Sequence, residues 1–364
     1  MSGRSSRSLG IAAVGAAVAA AAALAADGGP GLPGAFAVTG LVSDRAATPT
    51  RDRELVNSWG LAASPTGPWW TANEASGSST LYSGTGARQR LRVRVEGGPT
   101  GVVYNGGRGF VVFGRGRSGP ARFLYAAEDG TIRGWSPSVP ESWSEVAEVA
   151  VDVGARAAVF RGLALAAGRL YATDFHNGRV EVFDTRWRRV VRRGAFADPS
   201  IPSWYAPFGI RAIGRRVFVT YVWRAPVNGN DAPTGGYVDE FDLDGRLVAR
   251  VARMGPLNAP WGIALAPAGF GSYGGDLLVG NFGDGRINAF RRRGGDWIHA
   301  GPLRGRDRRP LELNGLWGLA FGNGALAGPR TTLFFASGPH RWHGATESEV
   351  HGLLGAIRFV RAGD

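Results

Sequence analysis

The sequence contains no cysteine and no lysine. Without cysteine the chain cannot form disulfides, iron–sulfur clusters or thiolate zinc sites. Apart from five histidines, every basic residue is an arginine, and the net charge is +13. Dinucleotide-binding loops, Walker loops and the G-x-S-x-G nucleophile motif are also missing. The missing motifs therefore give no support to a nucleotide-dependent enzyme or to a serine hydrolase.

Long apolar runs are missing as well, except at the N-terminus. There Arg4 and Arg7 precede the apolar run 11–26, and Ala23-Leu24-Ala25 fits a small-x-small cleavage site. Because this is the layout of a secretory signal peptide, we predict a signal peptide over 1–25 and a flexible spacer over 26–34. The mature protein would be secreted, periplasmic or attached to the cell envelope, without a transmembrane domain. An uncleaved membrane anchor is the alternative.

Glycine is abundant, with 58 residues, and six glycines open a recurring phrase such as APFGIRAI, APWGIALA or GLWGLAFG. The six are Gly60, Gly101, Gly162, Gly209, Gly262 and Gly318. Each phrase is followed by an apolar strand, a turn and a third strand, as in RLYATDFHNGRVEVFDT, and then by a fourth strand such as VVRRGAFAD. Four strands per repeat make one propeller blade. We therefore predict an all-β, six-bladed β-propeller that occupies residues 35–364 as a single domain.

Closure of the ring can also be predicted. The last repeat has only three strands before the sequence stops, whereas AFAVTGLVSD (35–44) precedes the first phrase, where fourth strands lie elsewhere. This N-terminal strand should complete the last blade. In the second blade GFVVFG and RFLYAAEDGTIRGW could each form the hairpin. The second matches the other repeats better, so GFVVFGRGRSG is expected to be an extension of the first strand and a loop.

The phrases NSWGLAASPTGPWW, YAPFGI, LNAPWGIALAPAGFG and LLVGNFGDGRINAF resemble an uncharacterised family of exported bacterial proteins related to NHL-repeat propellers. Members often carry a C-terminal PEP-CTERM sorting tail, which this sequence, ending in FVRAGD, lacks. The resemblance covers nearly the whole mature chain. It implies the propeller fold and carries no established activity.

Polar residues near the ends of second strands are candidate metal ligands: Asn73, Glu128, Asp174 and Asn281. The set resembles the oxygen ligands by which gluconolactonase-type propellers hold a divalent cation. Hard oxygen ligands suit Ca²⁺, which could polarise a lactone or ester carbonyl. Alternatively, these side chains cap hairpins by bonding local backbone groups.

Two further groups are candidate ligand-binding residues. Aromatic side chains immediately precede four repeat glycines: Trp59, Phe208, Trp261 and Trp317. They could stack on a sugar or another planar ligand, or wedge between blades. His176, His340 and His343 could converge on the channel and bind Zn²⁺, as in NHL-type propeller lyases, or lie on solvent-exposed loops.

The leading functional prediction is a monomeric binding or scaffold module that takes a small molecule, a glycan or a protein at one channel mouth. The alternative is a lactonase-like hydrolase or lyase that depends on a divalent cation. Arginine clusters could attach the protein to an anionic cell-envelope polymer, or could simply be solvated: Arg186, Arg188, Arg189, Arg192 and Arg193; 291–293; Arg304, Arg306, Arg308 and Arg309. Nucleic acid is disfavoured because no nucleic-acid-binding motif accompanies the charge.

Overall fold

The computed structural model describes residues 34–224, 235–339 and 351–361. Regular structure in these ranges is almost entirely β-strand, arranged as six blade sheets around a central channel and one separate two-stranded hairpin. The predicted all-β, six-bladed propeller is therefore confirmed. Helix is confined to two 3₁₀ turns, Gly154–Arg156 and Gly271–Tyr273, and within the described ranges no helix could span a membrane. The predicted signal peptide lies outside these ranges.

In chain order, the first half of the propeller contains two N-terminal strands and blades 1 to 3. The N-terminal strands are β1 (Gly34–Ser43) and β2 (Thr50–Arg51). Blade 1 has β3 (Ser58–Ala63), β4 (Trp69–Asn73), β5 (Ser78–Tyr82) and β6 (Arg88–Arg94). The next segment runs through β7 (Pro99–Tyr104), β8 (Val111–Gly114), β9 (Arg117–Pro120), β10 (Phe123–Ala127), β11 (Thr131–Trp135) and β12 (Glu148–Asp152). Blade 3 has β13 (Phe160–Ala166), β14 (Arg169–Asp174) and β15 (Arg179–Phe183).

Blades 4 to 6 follow the same pattern. Blade 4 has β16 (Tyr205–Ile213), β17 (Arg216–Trp223), β18 (Tyr237–Asp242) and β19 (Leu247–Arg253). Blade 5 has β20 (Pro260–Leu265), β21 (Leu277–Asn281), β22 (Ile287–Arg293) and β23 (Asp296–Pro302). Blade 6 begins with β24 (Leu316–Phe321), β25 (Leu333–Ser337) and β26 (Leu353–Arg361).

The N-terminal strand completes the last blade, as predicted. Blade 6 has the order β24-β25-β26-β1, and β1 pairs antiparallel with β26 from Gly34↔Arg361 to Ser43↔Leu353. The ring also closes at its centre, where β24 contacts β3. His351, at the start of the last segment, bonds Asp44 through Nδ1 at 2.7 Å, which ties the two ends of the described chain together.

Two expectations for individual blades need correction. The GFVVFG segment is not an extension of the first strand of blade 2, because β8 and β9 form a separate two-stranded hairpin; blade 2 itself is β7-β10-β11-β12. Blade 3 lacks the fourth strand expected at VVRRGAFAD and has the order β13-β14-β15. Residues 191–194 of that segment are exposed, so no apolar face holds them against β15.

Every inner strand carries a β-bulge at its repeat glycine. In blade 3, for example, Phe160 pairs with Asp174 and Gly162 with Thr173, which leaves Arg161 as the extra residue. Equivalent register shifts occur in β3, β7, β16, β20 and β24. A bulge re-aims a side chain, and here it turns the residue before the glycine toward the channel.

The repeat glycines mark the places where neighbouring inner strands approach most closely. A Cβ on Gly101 would lie 2.5 Å from the backbone nitrogen of Leu163, and one on Gly162 would lie 2.8 Å from the carbonyl oxygen of Phe208. On Gly318 it would lie 2.6 Å from the carbonyl oxygen of Trp59, which belongs to the first blade. Any other residue would push adjacent blades apart.

Loss of the N-terminal strand should abolish cooperative folding. Strand β1 buries Phe36, Leu41 and Val42, together worth about 5–9 kcal/mol at about 1.5–3 kcal/mol per buried side chain. That sum is comparable to the roughly 5–15 kcal/mol stability of a typical domain. A chain that starts at residue 45 should show no thermal unfolding transition by circular dichroism, whereas one that starts at residue 34 should. Equal melting temperatures would contradict the closure.

A single methyl group at the ring should also destabilise the fold. Gly209→Ala places its Cβ against the carbonyl group of Trp261, and overpacking of this kind costs about 1–3 kcal/mol or more. Gly106→Ala is the matched control, because Gly106 is exposed and its Cβ would first meet the Tyr104 side chain at 3.3 Å. Urea unfolding should separate the two variants by more than about 1 kcal/mol; similar midpoints would show that the close approach does not limit the fold.

Candidate functional site

The end of the channel at which the inner strands begin is called the first mouth here. Six side chains precede the repeat glycines and ring this mouth: Trp59, Thr100, Arg161, Phe208, Trp261 and Trp317. The second strands of the blades end at the same mouth, since each pairs antiparallel with its inner strand. Both sets of residues therefore face one site.

The four aromatic members of this ring pack on one another across the channel axis. The rings of Trp59 and Trp317 stack with centroids 3.5 Å apart, and Trp59 meets Phe208 at 6.2 Å and Trp261 at 6.0 Å. Phe282 stacks on Trp317 at 4.1 Å. We call Trp59, Phe175, Phe208, Trp261, Phe282 and Trp317 the aromatic cluster. Because each of its members is at most 9% exposed, these rings leave little surface on which a ligand could stack.

Arg161 is the charged member of the ring. Its guanidinium carbon lies 5.2 Å from the ring centroid of Trp59 and 5.5 Å from that of Phe175, within cation–π range. The same guanidinium forms an ion pair with Glu128, whose side chain is 30% exposed. Its Nε atom is buried and has no hydrogen-bond partner among the described residues. The guanidinium of Arg161 thus lies between the aromatic rings of Trp59 and Phe175 and the carboxylate of Glu128.

The strand register shows that Glu128 belongs with Glu74 and not with the other predicted metal ligands. The residues paired with the start of the inner strands are Asn73, Ala127, Asp174 and Asn281. One position further come Glu74, Glu128, Phe175 and Phe282. Blades 1 and 2 therefore carry carboxylates where blades 3 and 5 carry aromatic rings of the cluster.

The two carboxylates lie close together. A Cβ on Gly98 would be 3.3 Å from Oε1 of Glu74 and 3.5 Å from Oε2 of Glu128. Burial raises the pKa of Glu74 above its ordinary value of 4.5, and the charge of Glu128 raises it further, although Asn57 and Arg161 oppose the shift. Asn57 donates its amide to Oε2 of Glu74 at 2.8 Å and accepts from Nε1 of Trp317 at 3.2 Å. The pair therefore tends to retain a proton on Glu74.

The other predicted metal ligands form hydrogen bonds close to their own hairpins. Asn73 donates to Thr80 at 2.9 Å, and Asn281 donates to Asp284 at 3.0 Å. Asp174 accepts from the backbone N–H groups of Val159 and Asn177, and burial raises its pKa. The buried Oδ1 atoms of Asn73 and Asn281 have no hydrogen-bond partner in the described part of the chain, but the two residues belong to different blades.

Within the described ranges, no hydrogen bond or ion pair joins any two of Asn73, Glu128, Asp174 and Asn281. In the same ranges, no group of three or more histidine, aspartate or glutamate side chains is arranged to hold a metal ion. The contacts of Asp174 and Asn281 are those of hairpin caps.

Of the three predicted histidines, only His176 lies among the described residues. His176 is exposed on the turn between β14 and β15, and its carbonyl oxygen accepts from Arg224. His340 and His343 lie outside the described residues. The arginine clusters are partly neutralised, because Arg189 pairs with Glu181 and Arg292 with Glu240.

Glu74 and Arg161 were missed in the sequence, although a signal for both was present. Arg161 occupies a repeat position that is otherwise mostly aromatic, and Glu74 follows Asn73 where Phe175 and Phe282 follow Asp174 and Asn281. Departures from a repeat mark positions that packing alone does not explain. Column-by-column comparison of the phrases would have found them.

Solved structures of other propellers resemble this one. The PQQ-bound aldose sugar dehydrogenase of Streptomyces coelicolor is 13% identical, with 90% of this chain and 100% of that chain covered, at a TM-score of 0.51. The soluble aldose sugar dehydrogenase of Escherichia coli is 12% identical, with 88% and 99% covered, at a TM-score of 0.51. At these identities the likeness shows the fold.

No protein-family model matches the chain. Uncharacterized protein R648 of Acanthamoeba polyphaga mimivirus is 34% identical over 77% of this chain and 72% of that protein. Uncharacterized protein L690 of the same virus is 32% identical over 74% of each. Because these relatives are viral, they do not support the expected grouping with exported bacterial proteins. The chain belongs to the family that contains these two mimivirus proteins.

Proposed function

We propose that the protein is a binding module whose ligand occupies the first mouth and is held by Glu74, Glu128 and Arg161. The observation that carries this proposal is that three charged residues on adjacent blades, Glu74, Glu128 and Arg161, occupy the two repeat positions that supply the aromatic cluster in other blades. Charged groups placed where the repeat favours aromatic packing cost stability, and such local conflicts are typical of functional positions.

The chemistry of the mouth favours a ligand that donates hydrogen bonds. Carboxylates accept hydrogen bonds, and an ionised one accepts more than one. Arg161 is already paired with Glu128, so it offers little to an anion. The aromatic cluster is buried. It therefore forms an apolar base beneath the site and exposes little ring surface on which a ligand could stack. A hydroxyl-rich glycan or an amine fits these features best.

A glycan and amine binding screen tests this proposal. The parent protein should retain a subset of hydroxyl-rich or amine probes, and Glu128→Gln should weaken that retention about tenfold or more, because hydrogen bonds to charged groups contribute about 1.5–3 kcal/mol. The control is Glu96→Gln, whose side chain is 61% exposed. Retention of the same probes by the parent and Glu128→Gln would contradict a ligand site at this mouth.

A second candidate is a hydrolase or lyase, and the Glu74–Glu128 pair is the observation that favours it. A carboxyl group with a raised pKa beside a second carboxylate is suited to general acid–base catalysis. In the cation-dependent version, Ca²⁺ would take the place of the proton between the two carboxylates. Asn73, Asp174 and Asn281 would then support their hairpins and would not bind the ion.

Calcium dependence separates the two possible ion sites. If a cation binds between Glu74 and Glu128, added Ca²⁺ should raise the melting temperature of the parent protein and chelator should reverse the effect. Glu128→Gln should abolish this stabilisation, because it removes a charged ligand, and Asn281→Ala should keep it. Loss of the stabilisation in Asn281→Ala as well as in Glu128→Gln would instead favour the four-residue site predicted from the sequence, which also contains Glu128. A lactone and ester panel with and without chelator tests the catalytic version.

Export and attachment to an anionic envelope polymer through the arginine clusters remain part of the proposal. Export is supported by the N-terminal layout of Arg4, Arg7 and the apolar run 11–26. Polymer attachment is supported by exposed arginines such as Arg186, Arg188 and Arg193. Attachment of this kind should weaken with salt, since the Debye length is about 10 Å at 0.1 M.

The Glu74 carboxyl should make stability depend on pH. Its pKa is raised in the folded state, so its contribution to stability is fully present below the ordinary value and is lost as pH rises through the folded-state pKa. Glu74→Gln cannot ionise. It should melt close to the parent protein at about pH 4 and at a higher temperature at about pH 8.

Thermal melts across this pH range check the prediction, with Glu96→Gln as the control. Glu96 interacts at 3.7 Å with Arg94 at the surface, where ion pairs contribute little to stability. The melting temperature of Glu96→Gln should therefore match that of the parent protein at each pH. A lower melting temperature of Glu74→Gln at high pH would show that the Glu74 carboxylate is favourable in the folded state.

A further inference from the structure

The opposite end of the channel, where the inner strands finish, contains a cavity of about 240 Å³. We call this end the second mouth. Its walls come from the inner strands of five blades, including Leu61, Val102, Leu163, Arg211 and Phe321. A much narrower space of about 30 Å³ continues from it toward Trp261. The aromatic cluster lies beyond, between this cavity and the first mouth.

Arg211 departs from the repeat in the wall of this cavity. It stands two residues after its repeat glycine, and the equivalent residues of the other blades are Ala62, Val103, Ala164, Ala264 and Ala320. All five are small and apolar. The sequence phrase APFGIRAI therefore contains an arginine where GLAAS, GVVYN, GLALA, GIALA and GLAFG have alanine or valine.

No hydrogen bond or ion pair is found for the Arg211 guanidinium among the described residues. Burial lowers the pKa of Arg211 from its ordinary value of 12.5, and no neighbouring carboxylate raises it. Arginine nevertheless stays charged, because its pKa is so high. The side chain is partly buried, and Leu61, Val102, Leu163 and Ile263 share its surroundings.

Most other partly buried arginines in the described ranges have carboxylate partners, and Arg122 and Arg224 bond backbone carbonyl oxygens. Arg291 pairs with Asp276 at 2.7 Å, and Arg250 pairs with Asp239 and Asp198. At the first mouth Arg161 pairs with Glu128. An unpaired charge in apolar surroundings is costly, so Arg211 is a residue that folding alone does not favour. The missing partner of this arginine is an anion.

We propose that the cavity at the second mouth binds a small monocarboxylate, with the carboxylate on Arg211 and the apolar body against Leu61, Val102 and Leu163. Guanidinium and carboxylate match in bidentate geometry. A monocarboxylate fits better than phosphate because the cavity lining offers a single cationic side chain, and its other side chains are aliphatic or aromatic apart from Asn323. The volume is below the roughly 300–1,000 Å³ of pockets for drug-sized ligands, which indicates a small acid.

This site is separate from the function proposed for the first mouth. The aromatic cluster is buried between the two ends of the channel, so a ligand at one end does not touch the residues at the other. Failure of the Glu74 and Glu128 experiments would leave this inference unaffected. Binding at the second mouth should accordingly persist in Glu74→Gln and Glu128→Gln.

The test compares benzoate with benzamide on the full chain by isothermal titration calorimetry. The two probes have nearly the same shape, and only benzoate carries a charge. Benzoate should bind the parent protein and benzamide should not. Arg211→Met keeps the apolar stem and removes the charge, and it should weaken benzoate binding at least about tenfold. Arg90→Met is the control, because Arg90 is exposed on the outer strand β6.

Melting temperature without ligand gives a second readout. Since Arg211→Met removes an unpaired charge, the variant should melt at or above the temperature of the parent protein and should lose the stabilisation by benzoate. A lower melting temperature would show that Arg211 has a structural partner and would overturn the proposal. Equal binding of benzamide, unchanged benzoate binding in Arg211→Met, or tighter binding of inorganic phosphate than of benzoate would each overturn it as well.

Discussion

The close approach of six inner strands at their repeat glycines is the constraint on which the structure depends. At Gly101, Gly162 and Gly318 the neighbouring backbone is too near for a Cβ, and the β-bulge beside each glycine turns one side chain into the channel. Blade spacing, channel width and the ring of residues at the first mouth all follow from this geometry. The repeated phrase thus serves mainly to form the fold, and the side chains beside its glycines also contribute to the candidate site at the first mouth.

The ring is asymmetric, and the asymmetry separates packing from function. In blades 4 to 6 the residues before the glycines are Phe208, Trp261 and Trp317, which fill the axis with apolar surface. Blades 1 to 3 contribute Trp59 and Phe175 to the same cluster and add the charged residues Glu74, Glu128 and Arg161. The aromatic packing therefore supplies stability that allows blades 1 to 3 to carry charge, as expected where a site is added to a repeat scaffold.

The two arginines of the channel illustrate how context decides the role of one residue type. Arg161 lies on aromatic faces and has a carboxylate partner, so its charge is compensated inside the protein. Arg211 lies among apolar side chains without such a partner in the described chain. A buried charge needs compensation. The charge of Arg161 is compensated by Glu128 of the neighbouring blade, whereas the charge of Arg211 requires an anion from outside the protein.

The sequence by itself determined the blade count and the closure, because glycine positions and alternating apolar strands repeat along the chain and β1 supplies the fourth strand of the last blade. It also contained the departures at Glu74, Arg161 and Arg211. The sequence did not determine that 191–194 leave blade 3 without a fourth strand, since pairing depends on an apolar face that those residues lack. Only the tertiary structure showed that Glu128 meets Glu74 and not Asn73, Asp174 and Asn281. A one-residue change of register moves a side chain to the opposite face of its strand. The bulges that set this register lie where the backbones of neighbouring blades are in close contact, which is a feature of the tertiary structure.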